Sequence, residues 1–118
     1  MFQSLFGFKK HVDVPQIGAQ ELHKRRGSSE PLVLIDVRTP REYEFDGHIA
    51  GSRLLPLSSL HQRLAELPKD QTIVCVCRSG ARSQSACEML ASAGFTHVVN
   101  LRGGMIDWKR NGLPLSQS

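Results

Sequence analysis

Cys77 closes the apolar run Thr72-Ile73-Val74-Cys75-Val76-Cys77 and opens the turn Arg78-Ser79-Gly80-Ala81-Arg82-Ser83. A helical pattern follows at once, with Ala86, Met89, Leu90 and Ala93 at i, i+3, i+4 and i+7. A thiol between a strand's carboxyl end and a helix's amino end meets unpaired backbone N–H groups and the positive end of a helix dipole. Both stabilise negative charge on sulfur and lower the thiol's pKa. Arg78 and Arg82 are expected to push the same way and to attract an anionic substrate. The chemistry implied is nucleophilic attack by a thiolate.

A thiolate can attack carbon, sulfur or phosphorus. Acyl transfer calls for a histidine base, and none of the five histidines is tied to Cys77 by local spacing. Thiol–disulfide exchange usually shows Cys-x-x-Cys; here the spacing is Cys75-x-Cys77, and Cys75 reads as a small core residue. Metal binding by Cys75, Cys77 and Cys87 is disfavoured, because Cys87 lies on a helix without a ligand partner at i+3 or i+4. Neither a metal nor another cofactor is expected. Phosphoryl transfer and sulfur transfer remain, and both use a turn whose N–H groups converge on an anion. Cysteine phosphatases carry Cys-x5-Arg, usually with His before the cysteine. This turn has four residues between Cys77 and Arg82 and is preceded by Val76, which suits one bound sulfur atom better than a tetrahedral phosphate.

The elements that must hold this turn are legible in part. Leu32–Val37, Thr72–Cys77 and His97–Leu101 are nearly continuous apolar runs, as in parallel strands covered on both faces. Between them lie helical patterns over Ala19–Arg26, ended by Gly27, and from a Ser59-x-x-Gln62 capping box with Leu60, Leu64 and Leu67 on one face. A shorter helix opens with Thr39-Pro40-Arg41-Glu42, where Thr39 caps and Glu42 reaches back. Alternating strands and helices predict an open α/β sheet with ligands at the strands' carboxyl ends. Asp36-Val37-Arg38 falls at such an end. Its expected role is support of the loop, by an Arg38–Glu42 pair and by Asp36 accepting backbone N–H groups.

The chain has 118 residues, 40% hydrophobic and 22% charged, which is room for one domain with one core. No apolar stretch is long enough to span a membrane, and the Phe-rich arm Met1–Lys10 lacks the basic region of a secretory signal. That arm is expected to fold onto the domain surface or touch a partner. Three cysteines, an odd number, indicate free thiols in a reducing, cytoplasmic setting. The net charge of +4 favours anionic small molecules or acidic surfaces. Nucleic acid is a poorer fit, since the basic run Lys24-Arg25-Arg26 has no interleaved aromatics.

Four motifs, in order, resemble the single-domain rhodanese (sulfurtransferase) family. They are Leu34-Ile35-Asp36-Val37-Arg38 with Glu42-Tyr43; Gly47-His48-Ile49-Ala50-Gly51-Ser52; the turn Cys77 to Ser83; and Leu101-Arg102-Gly103-Gly104 with Trp108 and Gly112-Leu113-Pro114. Each is weak by itself; the four together, across Val12 to Pro114, are specific. The chain departs from the pattern by one added residue between Tyr43 and Gly47 and by Ser52 where Ala is common. The resemblance implies an α/β three-layer fold, with a mostly parallel sheet of about five strands and helices on both faces. It assigns an N-terminal arm to residues 1–11, the domain to 12–115, and a short polar tail, expected to fray, to 116–118.

The resemblance also implies a double displacement. Cys77 takes sulfane sulfur from an anionic donor such as thiosulfate, becomes a persulfide, and passes the sulfur to cyanide or to a thiol, small or protein-borne. Arg78, Ser79, Gly80, Ala81, Arg82 and Ser83 form the loop that holds the persulfide, with Ser83 either a hydroxyl donor or only a helix cap. Asp36 and Arg38 support it. The competing readings are a protein-to-protein sulfur relay or binding module with little small-molecule turnover, and a cysteine phosphatase or arsenate reductase, disfavoured by loop length.

Overall fold

The structure is a computed structural model, and it describes residues 13–117. The N-terminal arm therefore lies outside the described residues. Five parallel strands run β1 (Gln16–Ile17), β2 (Leu32–Asp36), β3 (Arg53–Leu54), β4 (Thr72–Val76) and β5 (Val98–Leu101), in the spatial order β1-β5-β4-β2-β3. The three long runs predicted from sequence are β2, β4 and β5. The two edge strands are only two residues each, too short to show a pattern of their own.

Alternation along β4 explains why its sequence is apolar throughout. Ile73, Cys75 and Cys77 point into one core layer with Ala86, Cys87 and Leu90 of α4 (Ala81–Ser92) and Leu60 of α3 (Leu57–Leu60). Val74 and Val76 point into the other, with Leu22 of α1 (Ala19–Arg26) and Met105 and Trp108 of α5 (Gly104–Arg110). Successive side chains of a strand face opposite ways, so a strand covered on both faces must be apolar at every position.

Local chemistry sets most helix boundaries. The Thr39 capping box is present: Thr39 Oγ1 accepts from the Glu42 N–H, and Glu42 accepts from the Thr39 N–H, opening α2 (Pro40–Phe45). The Ser59 box does not form. α3 starts three residues earlier, after Pro56, and the Ser59 hydroxyl donates to the Pro56 carbonyl instead. Leu64 then sits in a 3-10 stretch, His61–Glu66, rather than in a continuous α-helix. Between Tyr43 and Gly47, α2 ends at Phe45, Asp46 caps it and Gly47 turns back with φ +81. Tyr43 closes that turn, its hydroxyl donating to the Ser52 carbonyl and its ring stacking on His48 at 3.6 Å.

The start of the polar tail is held rather than frayed. Ser116 bridges His48, the two exchanging backbone N–H bonds of 2.8 and 2.7 Å. Trp108 Nε1–H reaches the Pro114 carbonyl just before it at 2.7 Å. Two paired backbone groups at that point outweigh the conformational freedom that a polar chain end would otherwise keep.

Candidate active site

At the carboxyl edge of the sheet, β4 passes into the Cys77 turn and then into α4. Gly80 adopts φ +103, a left-handed conformation that L-residues with a Cβ rarely adopt. This bend carries the chain around the sulfur. Cys77 Sγ accepts from the Gly80 N–H at 3.1 Å, the Ser83 N–H at 3.3 Å and the Ser83 hydroxyl at 3.3 Å. Gly80 precedes the first residue of α4 and Ser83 is its third, so the sulfur caps the orphan N–H groups of the helix. Ser83 itself does not cap: it is the third residue of α4, and its buried hydroxyl faces the sulfur and Asn100 instead.

Burial pushes the Cys77 thiol up, but the Ser83 hydroxyl and the N–H groups of Ser83, Gly80 and Ser79 outweigh it and bring the thiol below its ordinary value. The two arginines are expected from sequence to add to this effect. In the structure Arg82 turns away to Glu42 in a two-pronged pair of 2.8 Å on each arm, and the Cys77 charge is among the smaller influences on it. Arg78 is exposed at the rim of the turn. Cys75 behaves as a core residue. A hydrogen bond to Cys87, together with burial, raises its thiol well above the ordinary value.

Asp36 and Arg38 engage each other rather than the neighbours expected of Arg38. Arg38 Nε and Nη2 reach the Asp36 carboxylate at 2.9 and 2.8 Å, and Nη2 also reaches the Gly47 carbonyl at 2.9 Å. Asp36 accepts the Arg38 backbone N–H at 3.1 Å as well. The expected Arg38–Glu42 pair is replaced because Arg38 is sequestered, 1% exposed, whereas Glu42 faces the Cys77 turn across the sheet edge. This brace fixes the loop between β2 and α2.

Glu42 thus links α2 to the Cys77 turn, a contact forty residues apart in sequence that no local spacing announces. The Arg82 guanidinium draws its carboxyl down to about 2, against a smaller opposing effect of burial. A folded-state value below the unfolded one stabilises the fold at pH values above the ordinary glutamate range. That gain disappears as pH falls toward 2. Glu42→Gln is expected to lose about 1–2 kcal/mol at neutral pH, a figure moderated by partial exposure of the pair. Urea denaturation should show the gap from wild type narrowing as pH falls from 4.5 toward 2. A gap that does not vary with pH would rule the pair out as its cause.

The Gly103–Gly104 turn also shapes the site. Gly104 has φ +56, and a Cβ there would lie 2.5 Å from the carbonyl oxygens of Cys77 and Arg78. Those carbonyls accept from the Met105 and Ile106 N–H groups at 2.9 and 3.0 Å, so α5 is seated on the turn. Asn100 was missed altogether. It lies 3% exposed on β5 and bonds Ser83, Gly80 and two glutamines. Its signal in sequence was a lone amide inside Val98-Val99-Asn100-Leu101, since a buried polar side chain needs partners.

The sequence profile of the Rhodanese-like domain matches residues 18–111. The chain belongs to the rhodanese-like family. Rhodanese-like relatives include an Allochromatium vinosum protein named sulfurtransferase, 43% identical over 102 residues, which cover 86% of this chain and 94% of that protein. A Bacillus subtilis protein named putative sulfur carrier protein YrkF is 36% identical over 95 residues, 80% of this chain and 51% of its own length. The crystal structure of a rhodanese-related protein from Thermoplasma volcanium superposes with a TM-score of 0.80 at 31% identity, covering 88% of this chain and 99% of that one. The five-stranded parallel sheet with helices on both faces is the fold this chain shares with rhodanese-like proteins of known structure. Among the described residues, no helix is long and apolar enough to cross a membrane.

Proposed function

We propose that this chain is a cytoplasmic sulfurtransferase that carries sulfane sulfur as a persulfide on Cys77. The observation that carries the proposal is a sulfur ringed by N–H and O–H donors, in a turn with four residues between Cys77 and Arg82. Such a ring stabilises an anionic sulfur in place, so no histidine base is needed. A relative named sulfurtransferase, matched over nearly its whole length, agrees with it.

In the loading step the Cys77 thiolate bonds to the outer sulfur of thiosulfate. The donor's S–S bond breaks and its electron pair leaves with sulfite. Cys77 is left as a persulfide with the negative charge on its terminal sulfur, where the loop N–H groups can follow it. An acceptor thiolate, or cyanide in an assay, then bonds to that terminal sulfur, and the pair of the Cys77 S–S bond returns to Sγ. Exposed Arg78 is placed to draw in the anionic donor, with Arg82 contributing less because Glu42 already neutralises it. Asp36 and Arg38 act by holding the neighbouring loop.

Incubation with thiosulfate should add the mass of one sulfur atom, mapped by peptide mass to Cys77, and cyanide should remove it as thiocyanate. No adduct with thiosulfate, but one formed from a persulfidated protein donor, would favour the relay reading, for which the likeness to a named sulfur carrier is the supporting observation. Cys77-dependent hydrolysis of an aryl phosphate, with no sulfur adduct from either donor, would overturn both.

A further inference from the structure

A hydroxyl has one proton, and Ser83 has two acceptors for it. Its Oγ lies 2.5 Å from Asn100 Oδ1 and 3.3 Å from Cys77 Sγ. The Asn100 amide cannot turn over to relieve this competition. Its Nδ2 faces three oxygens: Gln16 Oε1 at 2.9 Å, the Gly80 carbonyl at 3.2 Å and Gln84 Oε1 at 3.3 Å. The Gly80 carbonyl is backbone and always an acceptor. Gln16 is held in its own orientation by Nε2–H bonds to the Val14 carbonyl at 3.1 Å and Gln84 Oε1 at 2.9 Å. A flipped Asn100 would set Oδ1 against three acceptors, so Oδ1 stays on the Ser83 side. With Ser83 at 0% and Asn100 at 3% exposure, solvent does not supply a substitute donor.

We propose that Asn100 is a positioning residue that acts on Cys77 through a two-position Ser83 hydroxyl. When Cys77 is a thiol, Ser83 Oγ–H donates to Asn100 Oδ1 and its lone pair accepts the S–H. When the thiol proton leaves to solvent, the hydroxyl swings and donates to the Sγ anion, and Asn100 Oδ1 loses that donor. Asn100 therefore opposes ionisation, and Ser83 favours it.

Its consequence for sulfur transfer rests on Cys77 being the sulfur-carrying nucleophile: the two half-reactions differ in where the Ser83 proton sits. On loading, charge moves from Sγ to the terminal sulfur, and the Ser83 proton returns to Asn100. On discharge, the electron pair returns to Sγ, and the hydroxyl meets it there. Ser83 thus assists departure of Sγ as a thiolate. The other titratable and charged groups about Cys77 are Arg78 in the turn, Arg82 on α4, Glu42 on α2, Asp36 at the end of β2 and Arg38 just past it, Cys75 on β4 and Cys87 on α4. Arg78 is exposed to solvent and the rest have partners of their own, which leaves the Ser83 proton to track the charge on sulfur.

The test is the pH dependence of Cys77 alkylation by iodoacetamide, located by peptide mass, in wild type, Asn100→Leu, Ser83→Ala and the double variant. Asn100→Leu should move the midpoint down and speed alkylation about threefold to tenfold at pH values below the wild-type midpoint. Ser83→Ala should slow it by a similar factor. In the Ser83→Ala background, Asn100→Leu should change nothing. Equal midpoints for wild type and Asn100→Leu, or an Asn100→Leu effect that survives without the Ser83 hydroxyl, would overturn the proposal.

Asn100→Leu also removes a donor to the turn and so risks misfolding, but wild type decides the matter independently. The side-chain carbonyl carbon resonance of isotope-labelled Asn100 should titrate with the alkylation midpoint and be flat in Cys77→Ser. A flat wild-type resonance overturns the proposal equally. Neither measurement uses a sulfur donor, so failure of thiosulfate to load Cys77 would count against the sulfurtransferase reading and leave this one standing.

Discussion

Cys77→Ser should abolish sulfur uptake and lower thiocyanate formation by more than about a thousandfold, while leaving the fold intact. A serine hydroxyl accepts hydrogen bonds from Gly80 and Ser83 as the sulfur does, so the cap on α4 survives. It cannot ionise in the neutral range, and oxygen does not form the persulfide's S–S bond. The two remaining thiols do not substitute. Cys75 is held as a thiol by its bond to Cys87 and by burial, and Cys87 is the partner in that bond. Thiocyanate release from the variant at the wild-type rate would remove Cys77 from the mechanism. Equal urea midpoints for the two proteins are part of the expected result, because they separate lost chemistry from lost structure.

The largest effect on stability is expected from Arg38→Met. The substitution keeps much of the side chain's volume but leaves the Asp36 carboxylate, 1% exposed, without its guanidinium. Breaking a buried ion pair from one side costs about 3–5 kcal/mol, because the remaining charge is stranded away from water. The Gly47 carbonyl loses a donor at the same time. Urea denaturation at neutral pH should show the loss directly. The double variant Asp36→Asn/Arg38→Met should recover part of it, since an amide is cheaper to bury than an unpaired carboxylate. A single variant within about 1 kcal/mol of wild type would mean that the pair is only incidental to the fold. Sulfur transfer by the recovered double variant would in turn show that Asp36 has no direct chemical part.

How much could be read in advance depended on the range of the interaction. The α2 capping box spans four consecutive residues, and it formed as its spacing indicated. The Ser59 box has the same local form and failed, because Pro56 starts α3 earlier and draws the serine hydroxyl back to its own carbonyl. β2, β4 and β5 were visible because burial on both faces demands unbroken apolar runs. β1 and β3 were not, since two residues carry no period, and they pair only because β5 and β2 present edges to them. Charge partners were the least legible. Arg38, Glu42 and Arg82 all carried their charges in the sequence, but which met which depended on how the ends of β2 and β4 lie side by side.

The sequence by itself determined the place of the Cys77 thiol, the length of its turn and the class of sheet that presents it. These follow from residues next to one another: an apolar run, a cysteine, a glycine able to turn left-handed, and a helix start. Tertiary structure alone decided how the sulfur is tuned. Ser83 bonds Cys77 from within the turn, but Asn100 reaches that serine from β5, Glu42 takes Arg82 from α2, and Gly104 lets α5 seat on the turn's carbonyls. Hydrogen bonds and ion pairs act over about 3 Å. Only the parallel register of β2, β4 and β5 brings groups so distant in the chain within that range.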